Sequence, residues 1–115
     1  MDENQTFTET IAALKPGMIM DANGEIAVIV DILRSEHTDA VCLFVRFPRN
    51  LGNARPYDIL ELSPARTLGV EQWRPATQTQ LEQRLAARRE WLEREMERLK
   101  ALASTEERTA VAAAD

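Results

Sequence analysis

The sequence predicts a mainly β protein in which a small antiparallel barrel is followed by one long amphipathic helix. Between residues 18 and 70, about five short apolar runs are separated by turn-forming residues, a spacing typical of small barrels and sandwiches. A parallel sheet would need crossover helices, and no helical period occurs in this region. Beyond residue 79 the apolar period becomes helical. The predicted units are a flexible N-terminal arm (1–13), the barrel (14–74), the helix (75–103) and a disordered tail (104–115).

The N-terminal arm is polar and acidic, and its only large apolar side chains are Phe7 and Ile11. We expect it to be flexible. A short helix is the alternative, with Thr10 capping a turn that carries Ile11 and Leu14. Pro16 and the glycine after it would end such a helix, because proline lacks an N–H and glycine accepts positive φ.

The first predicted hairpin opens the barrel. Its strands are Met18–Met20 and Glu25–Arg34, joined at Asn23-Gly24, a dipeptide that suits a turn with positive φ at both central positions. The second strand is rich in β-branched residues, which favour a pleated, half-buried surface. Its alternation predicts one face formed by Ile26, Val28, Val30 and Ile32. Because both faces are apolar in the centre, we expect a sheet that is curved or covered on both sides.

Three further strands follow along the chain. The sequence predicts Ala40–Phe47 as an antiparallel partner of the preceding strand, then Tyr57–Leu62, and then a short closing strand at Leu68–Val70. Trp73 is expected to cover one end of the barrel. The sheet is therefore predicted to close within about 55 residues.

Thr79 and Glu82 fit a capping box at the start of the long helix. Leu85 and Leu92 begin a repeat of seven residues that predicts an apolar stripe. At about 37 Å the helix is longer than the barrel can cover, so we expect a coiled-coil-like contact with a second copy. The candidate oligomer interface consists of Leu81, Leu85, Trp91, Leu92, Met96, Leu99 and Leu102.

The start of the predicted barrel has the pattern Leu14-x-Pro16-Gly17, Ile19, Asn23-Gly24 and Ile26-x-Val28-x-Val30-x-Ile32. This pattern, which spans about 20 residues, resembles the opening of SH3-like small barrels of the KOW and Tudor kind. It implies an SH3-like fold. This chain has Ile26-Ala27 where KOW sequences often carry a further glycine. Tudor cages need several aromatic rings, and here only Phe47 and Tyr57 are candidates. The resemblance therefore assigns no ligand residue.

Charge and composition limit the function. The formal net charge is −5 and the pI is about 4.9, so the field of the whole molecule repels nucleic acid and anionic membrane. Cys42 is the single cysteine and His37 the single histidine, which excludes an intrachain disulfide and a zinc site of the usual Cys/His type. We predict no catalytic residue, metal or cofactor. Without a signal region or an apolar run of membrane-helix length, the expected location is cytoplasmic.

The segment from residue 46 to residue 57 is the strongest local signal, and we call it the basic loop. It contains the candidate ligand residues Arg46, Phe47, Arg49, Arg55 and Tyr57. Arginines bind phosphate or carboxylate and aromatic rings stack on bases. Three interpretations remain open for this loop: an ordinary solvated hairpin loop, a contact with an acidic protein or a second copy, and a nucleic-acid site.

The preferred functional prediction is a non-enzymatic adaptor or regulatory module for protein–protein interaction, oligomerising through its C-terminal helix. A nucleic-acid-binding barrel that uses the basic loop is the first alternative. A small acidic inhibitor of the phage or plasmid type, occupying a basic site on a host enzyme, is the second. Compactness and negative charge suit the inhibitor, although no particular residue demands it.

Overall fold

The computed structural model describes residues 3–114, with side chains described for residues 5–104. One antiparallel sheet lies between a short N-terminal helix and a long C-terminal helix. The elements are α1 (Glu3–Ala12), β1 (Ile19–Ala22), β2 (Glu25–Arg34), β3 (Val41–Arg46), a 3₁₀ turn (Pro48–Asn50), β4 (Asp58–Leu62), a second 3₁₀ turn (Val70–Gln72), β5 (Arg74–Pro75) and α2 (Gln78–Ala114). Neither helix combines the length and the apolar character needed to cross a membrane, within the residues described.

The sheet has the strand order β4-β3-β2-β1-β5. The predicted closing strand at Leu68–Val70 is wrong, because Leu68 and Gly69 both adopt positive φ and a 3₁₀ turn follows. The fifth strand is Arg74–Pro75, which pairs with β1. Over residues 3–114, β4 and β5 are the two edge strands of the sheet. No hydrogen bonds join them, so the sheet is not a closed barrel.

The turn between β1 and β2 agrees with the sequence prediction. Asn23 has φ 55° and Gly24 has φ 102°, and Ala22 pairs directly with Glu25. The Gly24 N–H donates to Oδ1 of Asp21 at 2.7 Å. The boundaries of β2 are also those predicted, because the turn signal and the β-branched run are both local.

The predicted face of β2 is wrong. Ala27 and Ile29 point into the core, whereas Val30 is exposed. The register with β3 shifts between Ile29 and Asp31, so Val30 is the extra residue of a β-bulge. Because a bulge interrupts the alternation of side chains, Ile32 returns to the core side although the strict period would place it opposite Ile29.

Residues 3–12 form helix α1, so the flexible arm is a wrong prediction for this part of the chain. Phe7, Ile11 and Leu14 are all buried and belong to the main apolar core. Phe7 and Ile11 stand four residues apart on one face of the helix, and Leu14 follows two residues after the helix ends. Each such burial contributes about 1.5–3 kcal/mol, which offsets part of the conformational entropy lost when this segment becomes ordered.

The capping residue of helix α2 lies two residues before the predicted one. Thr77 and Gln80 form the capping box: Oγ1 of Thr77 accepts from the Gln80 N–H at 3.1 Å, and Oε1 of Gln80 accepts from the Thr77 N–H at 2.8 Å. The predicted box at Thr79 and Glu82 is wrong because both residues lie inside the helix. The helix continues to Ala114, where a disordered tail was predicted from residue 104; its many alanines favour this. Asp115 lies outside the described residues.

Candidate functional site

The basic loop is built around Arg49 rather than left open for a ligand. Nε of Arg49 donates to Oε2 of Glu25 at 2.9 Å, and Nη1 donates to Oδ2 of Asp58 at 2.6 Å. The same guanidinium lies 4.1 Å from the centroid of the Phe47 ring. Arg49 therefore joins the first hairpin to β4, and its charge is matched by two carboxylates.

Asn50 holds the inner side of this loop and is a buried polar residue. Its Oδ1 accepts from the Phe47 N–H at 2.7 Å, and its Nδ2 donates to Oδ1 of Asp58 at 3.2 Å. Sequence reasoning missed Asn50, since an asparagine in a loop usually indicates a solvent-exposed turn. A signal was present: Asn50 stands three residues after Phe47, a spacing at which its side chain can bond the backbone.

The charges of this network shift two pKa values. Partial burial by itself would raise the pKa of the Asp58 carboxyl, but hydrogen bonds from Arg49 and Asn50 outweigh it, and the pKa lies below its ordinary value. The pKa of Arg49 is raised, since its hydrogen bonds to Asp58 and Glu25 outweigh the opposing effect of burial. The network therefore favours the ionised form of both groups, which suits a structural clamp.

The five candidate ligand residues differ in how far they are exposed. Phe47 is buried at 8% exposure, and Tyr57 makes an edge-to-face contact with Phe44 at 5.6 Å between ring centroids. Arg46 and Arg55 are exposed. Phe47 and Arg49 are therefore engaged within the fold, whereas Arg46 and Arg55 remain accessible to a ligand.

Arg46 borders a groove of about 330 Å³ between the sheet and α2. Val28 lies on the sheet side of this groove, and Leu81 and Leu85 lie on the helix side. Both leucines were predicted to face a second copy. They instead face their own domain, because the second face of β2 is also apolar and needs a cover.

The apolar stripe of α2 divides into two halves, and we call the whole stripe the α2 seam. It consists of Leu81, Leu85, Arg88, Leu92, Glu95, Leu99 and Leu102. In the first half, Nε of Arg88 donates to the carbonyl oxygen of Leu51 at 3.2 Å, and Leu92 packs on Gly52. In the second half, Leu99 is 67% and Leu102 is 55% exposed.

Two other members of the predicted oligomer interface flank the α2 seam. Trp91 is exposed, and the guanidinium of Arg88 lies over its ring at 4.3 Å from the ring centroid. Met96 is 58% exposed. Trp91 therefore supports the residue that bonds Leu51, while Met96 extends the exposed apolar area beside Leu99.

A second exposed apolar area lies on the side of the sheet opposite the main core. Leu33 stands opposite Cys42, and Phe44 stands opposite Ile59, in adjacent antiparallel pairs. Leu33 and Ile59 are exposed, and Cys42 and Phe44 are half-buried. We call these four residues the outer sheet face. Sequence reasoning missed it because the bulge in β2 decides which side Leu33 occupies.

His37 lies exposed in the loop between β2 and β3. The described residues contain no group of three or more His, Cys, Asp or Glu side chains placed to hold a metal ion. The geometry on which a functional assignment can draw therefore consists of two apolar surfaces, the outer sheet face and the second half of the α2 seam.

The chain was compared with protein-family models, with curated proteins and with solved structures, and no match was found in any of the three.

Proposed function

We propose that this protein is a non-enzymatic adaptor that self-associates through α2 and binds another protein through its sheet domain. The observation that carries the proposal is the exposure of Met96, Leu99 and Leu102 on a helix that extends past its own domain. Three neighbouring large apolar side chains at more than half exposure indicate a contact surface, since single exposed apolar residues are ordinary and clusters are not.

The length of α2 supports self-association. Its 37 residues span about 55 Å, and the molecule measures 74 Å along its longest axis but only 32 Å and 19 Å along the others. The hydrogen bond and packing contacts of the first half reach Leu92. A helix without tertiary packing is marginally stable in water. A partner for the second half would stabilise it by burying the α2 seam.

The outer sheet face is the surface that we assign to a second protein. Its paired residues form an apolar strip, and Tyr57 packs against Phe44 at its margin. Aromatic and aliphatic residues of this kind form the centres of protein interfaces. The pairing of β5 with β1 extends the first hairpin, whose sequence resembles that of SH3-like small barrels, in a sheet that stays open between β4 and β5.

Light scattering after size exclusion tests self-association. We expect the wild type to elute as a dimer or larger species, and Leu99→Glu to shift it toward monomer. Ala101→Glu is the matched control, because it adds the same charge about half a helical turn away from the α2 seam. A monodisperse wild-type monomer at high concentration would overturn the proposal.

Capture from an extract of the native cell tests the adaptor role. Immobilised wild type should retain a specific protein, and Leu33→Asp should lose it because the charge interrupts the outer sheet face. Glu71→Gln in the second 3₁₀ turn is the control, since it changes an exposed charge that lies outside the outer sheet face. Equal capture by all three forms would exclude the outer sheet face as the binding surface.

A further inference from the structure

We propose that the groove between the sheet and the first turns of α2 binds a small aliphatic monocarboxylate, a straight carbon chain that ends in one carboxylate. We call this groove the α2 groove. The carboxylate pairs with Arg46, and the chain lies between the sheet and the helix. The site uses neither the outer sheet face nor the second half of the α2 seam, so the inference goes beyond the proposed function.

The walls of the α2 groove are apolar. Besides Arg46, the residues that line it are Val28, Phe47, Pro48, Leu51, Leu81 and Leu85. Its volume of about 330 Å³ lies within the range of small-molecule sites. Water in such a groove makes few hydrogen bonds with the walls, so an apolar chain that displaces it is favoured.

The backbone of the turn beside the α2 groove is already hydrogen-bonded. The Phe47 N–H donates to Oδ1 of Asn50, and the Phe47 carbonyl oxygen accepts from the Asn50 N–H at 2.9 Å. The Leu51 N–H donates to the Pro48 carbonyl oxygen at 3.0 Å, and the Leu51 carbonyl oxygen accepts from Arg88. A peptide or a sugar brings several donors and acceptors that would lose their bonds to water in this groove. A saturated carbon chain brings none, and the groove therefore favours it.

Arg46 supplies the charge that selects the end of the chain. It is exposed, and within residues 5–104 it forms no ion pair and no side-chain hydrogen bond. Two other arginines nearby are engaged, because Arg49 is bonded to two carboxylates and Arg88 to a carbonyl oxygen. The planar guanidinium of Arg46 matches the two oxygens of a carboxylate.

The charge balance of the α2 groove favours a carboxylate over a phosphate. Arg46 is the only charged residue among those that line the groove, and the chain as a whole carries a net charge of −5. A phosphate monoester carries about −1.5 to −2 charge at pH 7, so one arginine leaves part of it unbalanced. The field of the whole protein repels that excess. A carboxylate carries a single charge, which Arg46 balances.

Titration of the isotopically labelled full chain with octanoate, followed through its amide NMR signals, tests the site. Octanoate should shift the signals of residues 46–51 and 81–85. Octanol, the same chain without a charge, should bind about fivefold more weakly, which is the effect of one ion pair at a protein surface. Arg46→Gln should weaken octanoate binding by the same factor and leave octanol binding unchanged. Arg55→Gln is the matched control, because Arg55 is exposed in the same basic loop and does not line the α2 groove.

Each contrary result overturns a defined part of the inference. Equal affinity for octanoate and octanol, or equal losses for Arg46→Gln and Arg55→Gln, would overturn the pairing of the carboxylate with Arg46. Tighter binding of octyl phosphate would overturn the choice of a monoanion. Shifts confined to the outer sheet face or to residues 96–102 would overturn the site. No shift at millimolar octanoate would overturn the whole inference and leave self-association, which light scattering measures, intact. Circular dichroism of each variant checks that the fold is retained.

Discussion

Leu92 of α2 packs directly on Gly52 of the basic loop, with its δ-carbons 3.1 and 3.2 Å from the point that a glycine Cβ would occupy. Arg88, one turn earlier, bonds the neighbouring residue Leu51. The two contacts attach α2 to the sheet domain. The basic loop therefore provides the surface on which α2 packs, a role that its arginines and aromatic residues did not suggest.

Gly52→Ala should weaken the packing of α2 on the basic loop. Gly52 has φ +88°, so any side chain there is strained by about 1–2 kcal/mol, and the added methyl must also displace Leu92. Gly17→Ala is the matched control, because Gly17 has φ +91° and open space around its Cβ position. Urea unfolding should show the larger loss for Gly52→Ala, and hydrogen exchange should be faster in the first turns of α2. Equal losses with unchanged exchange would show that the contact with Leu92 contributes nothing.

The hydrogen bonds that Asp58 accepts from Arg49 and Asn50 form the Arg49 clamp. They should make the free energy of unfolding depend on pH in the acid range. Asp58 has a pKa below its ordinary value of 3.8, so its contribution is fully present above about pH 4 and is lost as the pH falls through the folded-state pKa. Asp58→Asn removes this dependence. Unfolding free energies measured between about pH 6 and pH 2 should therefore fall more steeply for the wild type than for the variant. Glu61→Gln, on the same strand, should retain the wild-type slope, and parallel curves for Asp58→Asn would contradict the clamp.

Phe7→Ala should destabilise the whole domain, because Phe7 is only 4% exposed and belongs to the main core. The expected loss is about 3–5 kcal/mol for a buried aromatic residue. Gln5→Ala alters an exposed residue of the same helix and should change stability by less than about 0.5 kcal/mol. Thermal unfolding followed by circular dichroism measures both. A small effect of Phe7→Ala would restore the interpretation of this segment as a dispensable arm.

Thr77→Ala should destabilise the start of α2 by about 1 kcal/mol, since it removes the side-chain oxygen that accepts from Gln80. Thr79→Ala, at the position that the sequence suggested, should cost less, because alanine is a better helix former in the first turn. Chemical denaturation of the two variants compares the positions. A larger loss of stability for Thr79→Ala would instead indicate that Thr79 is the capping residue, as the sequence predicted.

Local features of this protein could be predicted from the sequence. The Asn23-Gly24 turn, the boundaries of β2 and the existence of a long helix each follow from backbone preferences of neighbouring residues. Such preferences need no knowledge of the rest of the chain. The capping residue of α2 was missed by two residues because Thr77 and Thr79 carry nearly equal capping signals.

Tertiary structure decided the features that depend on distant partners. Arg49 bonds Glu25, 24 residues away, and only the fold brings these two side chains together. Phe7 orders α1 because a core is present to receive it, and the bulge at Val30 sets the faces of β2 through its register with β3. The sequence by itself determined which local structures form. The pairing of remote surfaces determined which residues remain free, and that is why the second half of the α2 seam, and not the basic loop, carries the proposed function.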